Sequence, residues 1–157
     1  MKTKQIFSKS LIILSLFTGL TFAACESDDV NDNTYAVSGN GSGAQENPPV
    51  ATSGTSTLTG SYNADINRLD YTINWNGLSG PATMAHFHGP ALTGVNAGAM
   101  VTLSITTNGI NGTASGSAIL HDTAENHLLN GRVYYNIHTA THINGEVRGQ
   151  VITTSNN

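Results

Sequence analysis

The fold class is decided by Leu69-Asp-Tyr-Thr-Ile-Asn-Trp75 and by Thr55-Ser-Thr-Leu-Thr-Gly-Ser-Tyr62, which lies just before it. In both stretches, larger apolar or aromatic residues alternate with polar ones at period two, the pattern of a β-strand with one buried face. Between them, Asn63-Ala-Asp-Ile-Asn-Arg68 is rich in turn-forming residues. We therefore predict a pair of strands joined by a hairpin-like loop. The core-facing side chains of the second strand are predicted to be Leu69, Tyr71, Ile73 and Trp75.

Five more segments have the same texture, short apolar runs separated by Gly, Thr, Ser and Asn. They cover residues 83–88, 98–106, 112–120, 132–138 and 146–153. Asn108-Gly-Ile-Asn-Gly112 predicts a tight turn, because Asn-Gly pairs tolerate positive φ. One short helix is predicted between Leu120 and Gly131, with Asp122 as its N-cap and Glu125 three residues later. Together these features predict an all-β fold: an antiparallel, Greek-key-like sandwich or barrel of about seven to eight strands with one short helix or helical loop.

The N-terminus reads as a targeting segment. Lys2, Lys4 and Lys9 precede a predominantly apolar run over residues 11–24 that ends at Cys25, the only cysteine. A membrane-spanning helix needs roughly 20 apolar residues, so this run is too short and is more typical of a signal peptide. We predict a lipoprotein signal peptide over residues 1–24.

Phe22-Ala-Ala-Cys25 resembles the lipobox of bacterial lipoproteins, although leucine is usual where Phe22 stands. The resemblance implies that Cys25 is acylated and that the protein is anchored by lipid to the outer membrane of the cell envelope, on its periplasmic or its surface-exposed face. Two alternatives stay open: an ordinary signal peptide that releases a soluble protein, and an unpaired buried thiol. The acidic residues that follow predict a flexible tether over residues 25–36.

Removal of residues 1–24 leaves three arginines and no lysine against ten carboxylates, a formal charge of −7. Nucleic acid is bound largely through Lys and Arg side chains that neutralise phosphates. The charge balance therefore argues against a nucleic-acid partner.

The histidines carry the clearest chemical signal. In Met84-Ala-His-Phe-His88, an extended backbone places His86 and His88 on one face and Phe87 on the other. The same alternation places His138 on the less apolar face of its own strand. If the two strands are neighbours, three imidazoles converge on one point, an arrangement that suits copper or zinc. The alternative interpretation is that these rings bond only backbone carbonyls or one another.

Three charged residues are candidates for supporting this site. Glu46, in Glu46-Asn-Pro-Pro-Val50, is either a carboxylate ligand or a loop acid that is solvated or bonds the backbone. Because Glu146 and Arg148 are two residues apart, they project from one face of the last strand. This placement predicts either a local ion pair or an arginine that binds loop carbonyls. A role for Glu146 as an acid in chemistry near His138 has no support beyond sequence proximity. No serine lies in a nucleophile-elbow motif, so no catalytic residues are predicted. The remaining histidines, predicted to lie in polar loops, are His121, His127 and His142.

Four blocks of sequence, taken in order, resemble the CHRD (chordin) domain family: Glu46-Asn-Pro-Pro-Val50, Ala85-His-Phe-His-Gly89, Tyr135-Asn-Ile-His-Thr139 and Gly145-Glu-Val-Arg-Gly-Gln150. The resemblance implies an extracellular β domain, here assigned to residues 37–154 with a disordered tail over residues 155–157. The family pattern emphasises the same three histidines, together with Glu146, Arg148 and Gln150. It implies no established reaction.

Two functional hypotheses follow. The first is a lipid-anchored, non-catalytic binding or structural module whose partner is a protein, a glycan or a metal ion. The alternative is a copper- or zinc-dependent metalloenzyme or metal-handling protein that uses the three-histidine site. The first is favoured, because the sequence offers no well-placed acid–base partners.

Overall fold

The computed structural model describes residues 33–157, so the predicted signal peptide, Cys25 and most of the predicted tether lie outside the described residues. The described chain forms ten β-strands, one α-helix and a 3₁₀ turn over Gly43–Gln45. The strands are β1 Thr34–Ser42, β2 Thr55–Asn63, β3 Arg68–Asn76, β4 Ala82–His88, β5 Ala99–Thr102, β6 Ile105–Thr107, β7 Gly112–Ile119, β8 Tyr134–Thr139, β9 Val147–Gln150 and β10 Ile152–Ser155. The helix α1 covers Asp122–Leu129.

All strand pairs are antiparallel, and they build one curled sheet in the order β5-β4-β8-β9-β1-β2-β3-β7-β6. The last stretch of chain connects the two halves of this sheet. Its first part, β9, pairs with β8, and after a break at Val151 its second part, β10, pairs with the start of β1. Strand β9 thus joins β8 to β1. Strand β4 lies on the other side of β8, and these two neighbouring strands carry the predicted histidines.

The core lies inside the curl. Leu58, Ile73 and Trp75 are fully or almost fully buried, as the period-two pattern of their strands predicts. Tyr71 of β3 meets Phe87 of β4 edge to face, with ring centroids 5.5 Å apart. Since β3 and β4 belong to opposite halves of the sheet, this contact closes the curl around a shared core.

The all-β prediction is confirmed, while the number of strands is higher than predicted. Two predicted strands are each divided in two: residues 98–106 form β5 and β6, and residues 146–153 form β9 and β10. The helix is present, but Asp122 is its first residue and His121 occupies the N-cap position without a side-chain capping bond. The ordered strands begin at Thr34 and end at Ser155.

Strand β1 was not predicted, and its end is rich in glycine. Glycine is needed there because the aromatic ring of Tyr135 crosses this part of the sheet. A Cβ atom on Gly39 would lie 3.0 Å from that ring, and one on Gly149 of β9 would lie 2.6 Å from it. The glycines therefore make room for a buried tyrosine, whose hydroxyl lies 3.1 Å from that of Ser56.

Within residues 33–157, no helix has the length and apolar character needed to cross a membrane.

Candidate metal site

The three predicted histidines lie on adjacent strands. β4 pairs with β8 so that Met84 is opposite His138 and His86 is opposite Asn136. On β4, Ala85 and Phe87 point into the core and are at most 1 % exposed, whereas the histidines point out of the sheet. The alternation deduced from the sequence therefore holds, and the apolar side chains beneath fix the strand that carries the imidazoles.

The imidazoles converge closely. One ring nitrogen from each of His86, His88 and His138 lies within 4.8 Å of the others. The shortest separation, 3.0 Å, is a hydrogen bond between Nδ1 of His86 and Nε2 of His138. The rings thus bond one another, as the alternative interpretation predicts, while their nitrogens remain close enough to share an ion. The ring of His86 stands nearly perpendicular to both of its neighbours, at 74° to His138 and 87° to His88. The rings therefore meet edge to face, with one nitrogen of each near a common point.

Backbone carbonyls fix the orientation of two of the rings. Nδ1 of His138 lies 3.0 Å from the carbonyl oxygen of Ile143, and Nδ1 of His88 lies 3.0 Å from that of Ala97. A carbonyl oxygen only accepts, so in a neutral ring Nδ1 carries the hydrogen and Nε2 keeps its lone pair. Metal-binding histidines are held in the same way, with the other ring nitrogen donating to an outer partner.

Asn136 lies within the cluster, on the face that carries His138. Its Oδ1 is 2.9 Å from Nε2 of His88. Because Nδ1 of His88 also faces an oxygen, a neutral imidazole can donate to only one of these two acceptors. The other ring nitrogen then directs its lone pair at an acceptor oxygen instead of a hydrogen-bond donor. A bound cation would interact favourably with both atoms.

The local environment favours neutral imidazoles. Burial lowers the pKa of His86, and the neighbouring His88 lowers it further. Burial also lowers the pKa of His138, with smaller contributions in the same direction from the other two histidines and an opposing one from its bond to Ile143. Metal binding requires deprotonated imidazole nitrogens, so these lowered pKa values suit ligation near neutral pH.

A stack of side chains supports the cluster from one side. The ring of His88 lies parallel to that of Tyr134, at 2° with centroids 4.7 Å apart. The guanidinium carbon of Arg148 lies 3.5 Å from the centroid of the Tyr134 ring. Since β4 and β9 flank β8 on opposite sides, the tyrosine is held between the histidine and the arginine.

Arg148 also holds the loop that binds His88. It is 1 % exposed, and it donates to the carbonyl of Val95 at 2.8 Å and to Oδ1 of Asn96 at 3.1 Å. The next residue, Ala97, supplies the carbonyl that orients the imidazole. The predicted alternative in which this arginine binds loop carbonyls is therefore confirmed. The only ion pair between residues 33 and 157 joins Arg68 to Asp70, so the other alternative, a pair with Glu146, is wrong.

Glu46 is buried, which contradicts the prediction of a solvated loop acid, whereas a hydrogen bond from the backbone of Asn47 agrees with the backbone-bonding alternative. It is 7 % exposed, and its Oε1 has no hydrogen-bond partner among the described residues. Burial raises its pKa to about 7, although Arg148, Asn136 and the backbone of Asn47 each lower it. It lines a cleft of about 310 Å³ together with His88 and Asn136. Glu46 is nevertheless outside the group of atoms that could share one ion, so the predicted carboxylate ligand is not placed as one.

The carboxylate of Glu146 holds parts of the fold together. It is fully buried and accepts hydrogen bonds from Thr52, Ser79 and Thr139, including one from the Ser79 backbone, at 2.6–2.8 Å. Burial raises its pKa, but the four donors outweigh that effect and the net pKa is lowered. The carboxylate thus ties two loops to the end of β8. Because all four donors belong to the domain, Glu146 has a structural role as a buried hydrogen-bond acceptor.

The other three histidines do not join the cluster. His121 precedes α1, His127 lies within it, and His142 lies in the turn between β8 and β9. Sequence reasoning missed Tyr134, Asn136 and the carbonyl of Ala97. Tyr134 and Asn136 could have been found, since the alternation on β8 puts both on the face of His138; the carbonyl of Ala97 leaves no trace in the sequence.

Fold and site together define an antiparallel β domain that carries a three-histidine cluster on the outer face of two adjacent strands. The CHRD domain model matches residues 37–151, and the chain belongs to the CHRD domain family. No curated protein and no solved structure gives a significant match. The matched range includes the three histidines, Glu46 and Arg148.

Proposed function

We propose that this CHRD domain is a non-catalytic binding module that holds one transition-metal ion, copper or zinc, through His86, His88 and His138. The observation that carries the proposal is the fixed orientation of His88 and His138. Each places Nδ1 against a backbone carbonyl, so Nε2 is the nitrogen that faces the cluster: that of His138 lies 3.0 Å from Nδ1 of His86, and that of His88 lies 2.9 Å from Oδ1 of Asn136. Such a neutral ligand set with an ordered outer shell is typical of protein metal sites.

The separations fit an ion of this size. With metal–nitrogen bonds of about 2.0–2.1 Å, two ligands of a tetrahedral ion lie about 3.3 Å apart. The observed 3.0 Å between His86 and His138 is close to that value. All three nitrogens lie within 4.8 Å, so a small rotation of the side chains brings the third into the first coordination sphere.

The nearby carboxylates favour binding over catalysis. Glu146 is occupied by four donors, and Glu46 lies behind Asn136 outside the ligand group. The hydrogen bonds that Glu146 accepts occupy both of its oxygens, so it is not placed to act as a general base on a metal-bound water. A module of this kind would bind a partner protein, a glycan or the metal itself.

Metal content tests the proposal directly. The purified protein is compared with a variant in which His86, His88 and His138 are all changed to Ala, using elemental analysis after equilibration with copper or zinc. We expect about one ion per chain in the wild type and none above background in the variant. The matched control changes His121 and His142 to Ala and keeps the wild-type metal content. Equal metal content in the cluster variant and the wild type, with both folded by circular dichroism, would contradict the proposal.

We further propose that the module is held at the outer membrane by lipid on Cys25. The support comes from the sequence alone: a basic start, a short apolar run and a lipobox-like segment. Several acyl chains on one residue give stable anchoring, whereas one chain binds only marginally. Cys25→Ser should move the protein from the detergent-extracted membrane fraction to the soluble fraction. Unchanged partitioning of the variant would contradict acylation.

A further inference from the structure

Met84 occupies a place next to the histidine cluster. In the register between β4 and β8 it lies directly opposite His138, and it precedes His86 by two residues on the same strand. Residues two apart on a strand share a face, and directly opposed residues have Cβ atoms about 4.5–5.5 Å apart. The thioether side chain therefore starts from the same outer face as the imidazoles, beside two of them.

The fold makes no use of Met84 in its core. Its side chain is 46 % exposed, although methionine is an apolar residue and the next residue, Ala85, is fully buried. The chain has one other methionine within residues 33–157, Met100, which packs against the core cluster. The two methionines thus differ in environment. Met100 is partly buried against the core, whereas Met84 lies on the outer face beside the histidines.

We propose that the sulfur of Met84 is the fourth ligand of the metal site and that it makes the site selective for copper, as Cu(I), over zinc. This inference rests on the proposed metal-binding function and extends it to the identity of the ion. Thioether sulfur is a soft ligand that favours Cu(I), whereas imidazole alone accepts both metals. Methionine is unbranched and flexible, so it can reach the ion without displacing the strand.

Three imidazoles and one thioether complete a four-coordinate site. Imidazole and thioether ligands bring no negative charge, so the ion adds positive charge to a face that also carries Arg148. That arginine lies beyond Tyr134, with the aromatic ring between its guanidinium and His88. Because none of the four ligands carries a negative charge, the ligand set favours an ion of low charge such as Cu(I).

The test measures affinity for two metals in three proteins: the wild type, Met84→Leu and the matched control Met100→Leu. Leucine has nearly the volume of methionine and lacks sulfur, so each change is mild for packing. Cu(I) affinity is measured anaerobically by competition with a chromogenic Cu(I) chelator, and zinc affinity by competition with a zinc chelator. For Met84→Leu we expect a loss of Cu(I) affinity at least as large as the roughly 10- to 100-fold loss typical of outer-shell changes. Its zinc affinity, and both affinities of Met100→Leu, should stay at wild-type values.

X-ray absorption at the copper edge gives a second readout. The wild type and Met100→Leu should show sulfur in the first coordination sphere, and Met84→Leu should show nitrogen alone. Wild-type Cu(I) affinity in Met84→Leu, or a copper spectrum without sulfur in the wild type, would overturn the role of Met84 and leave the three-histidine site intact. Failure of the wild type to bind either metal would instead overturn the proposed function on which this inference rests.

Discussion

Glu46→Gln should stabilise the domain above neutral pH and leave it little changed under acidic conditions. The carboxyl group is buried with an unpartnered oxygen, and burial raises its pKa from 4.5 to about 7. The folded state therefore keeps a proton that the unfolded state releases near pH 4.5. It follows that the stability contributed by this group is complete below about pH 4.5 and is lost as the pH rises to about 7.

The magnitude follows from the same values. Each pKa unit corresponds to about 1.4 kcal/mol, so the rise from 4.5 to about 7 sets an upper value of about 3 kcal/mol. Partial screening by water at the cleft reduces the expected effect to about 2 kcal/mol. Glutamine has nearly the same shape and never ionises, so the variant does not lose this contribution at high pH.

Urea denaturation at pH 5 and pH 8 measures the effect, with the fluorescence of Trp75, the only tryptophan, as the signal. About three quarters of this effect falls between pH 5 and pH 8, so the difference in unfolding free energy between Glu46→Gln and the wild type should grow by about 1.5 kcal/mol between the two pH values. All other ionisable groups are the same in the two proteins, so their contributions cancel in this comparison. Asp65→Asn removes an exposed carboxylate and should keep the wild-type pH dependence. If the Glu46→Gln difference is the same at both pH values, the argument from burial is refuted.

Three further substitutions test the surroundings of the site. Arg148→Lys loses the planar group over the tyrosine ring and the forked bonds to the loop, so metal affinity should fall about 10- to 100-fold in a chelator competition. Glu146→Gln leaves some of four buried donors without an acceptor and should lower the unfolding free energy by about 2–3 kcal/mol in urea; an unchanged midpoint would argue against the anchoring role. Gly149→Ala places a methyl group 2.6 Å from the Tyr135 ring and should lower the unfolding free energy by about 1–3 kcal/mol. Gly98→Ala has open space around it and should lower the unfolding free energy little. Equal losses in the two variants would contradict the packing argument.

The sequence was informative where one face of a strand is apolar. Leu69, Ile73 and Trp75 alternate strictly with polar residues, and all three are buried as predicted. The same rule located the histidines, because Ala85 and Phe87 had to face the core. In these strands the hydrophobic effect fixes the register, and the register fixes what the other face displays.

The sequence was uninformative where structure depends on contacts between distant residues. β1 has a glycine-rich end with little apolar signal, since its glycines serve to admit the ring of Tyr135 from another strand. The burial of Glu46 likewise results from Gly145, whose positive φ and lack of a side chain allow the carboxyl group to lie against the backbone. Neither contact leaves a periodic trace in the local sequence.

The pairing of β1 shows at which end of the sheet the histidine cluster lies. The chain enters the domain at Thr34 and leaves it at Ser155, and these ends run side by side in the pairing of β1 with β10. At the other end of β1, Ser42 lies level with Arg148, Asn136 and His86 across the sheet. Seven residues of strand separate Tyr35 from Ser42, a distance of about 23 Å. The imidazoles therefore lie towards the end of the sheet that is opposite to Thr34 and Ser155.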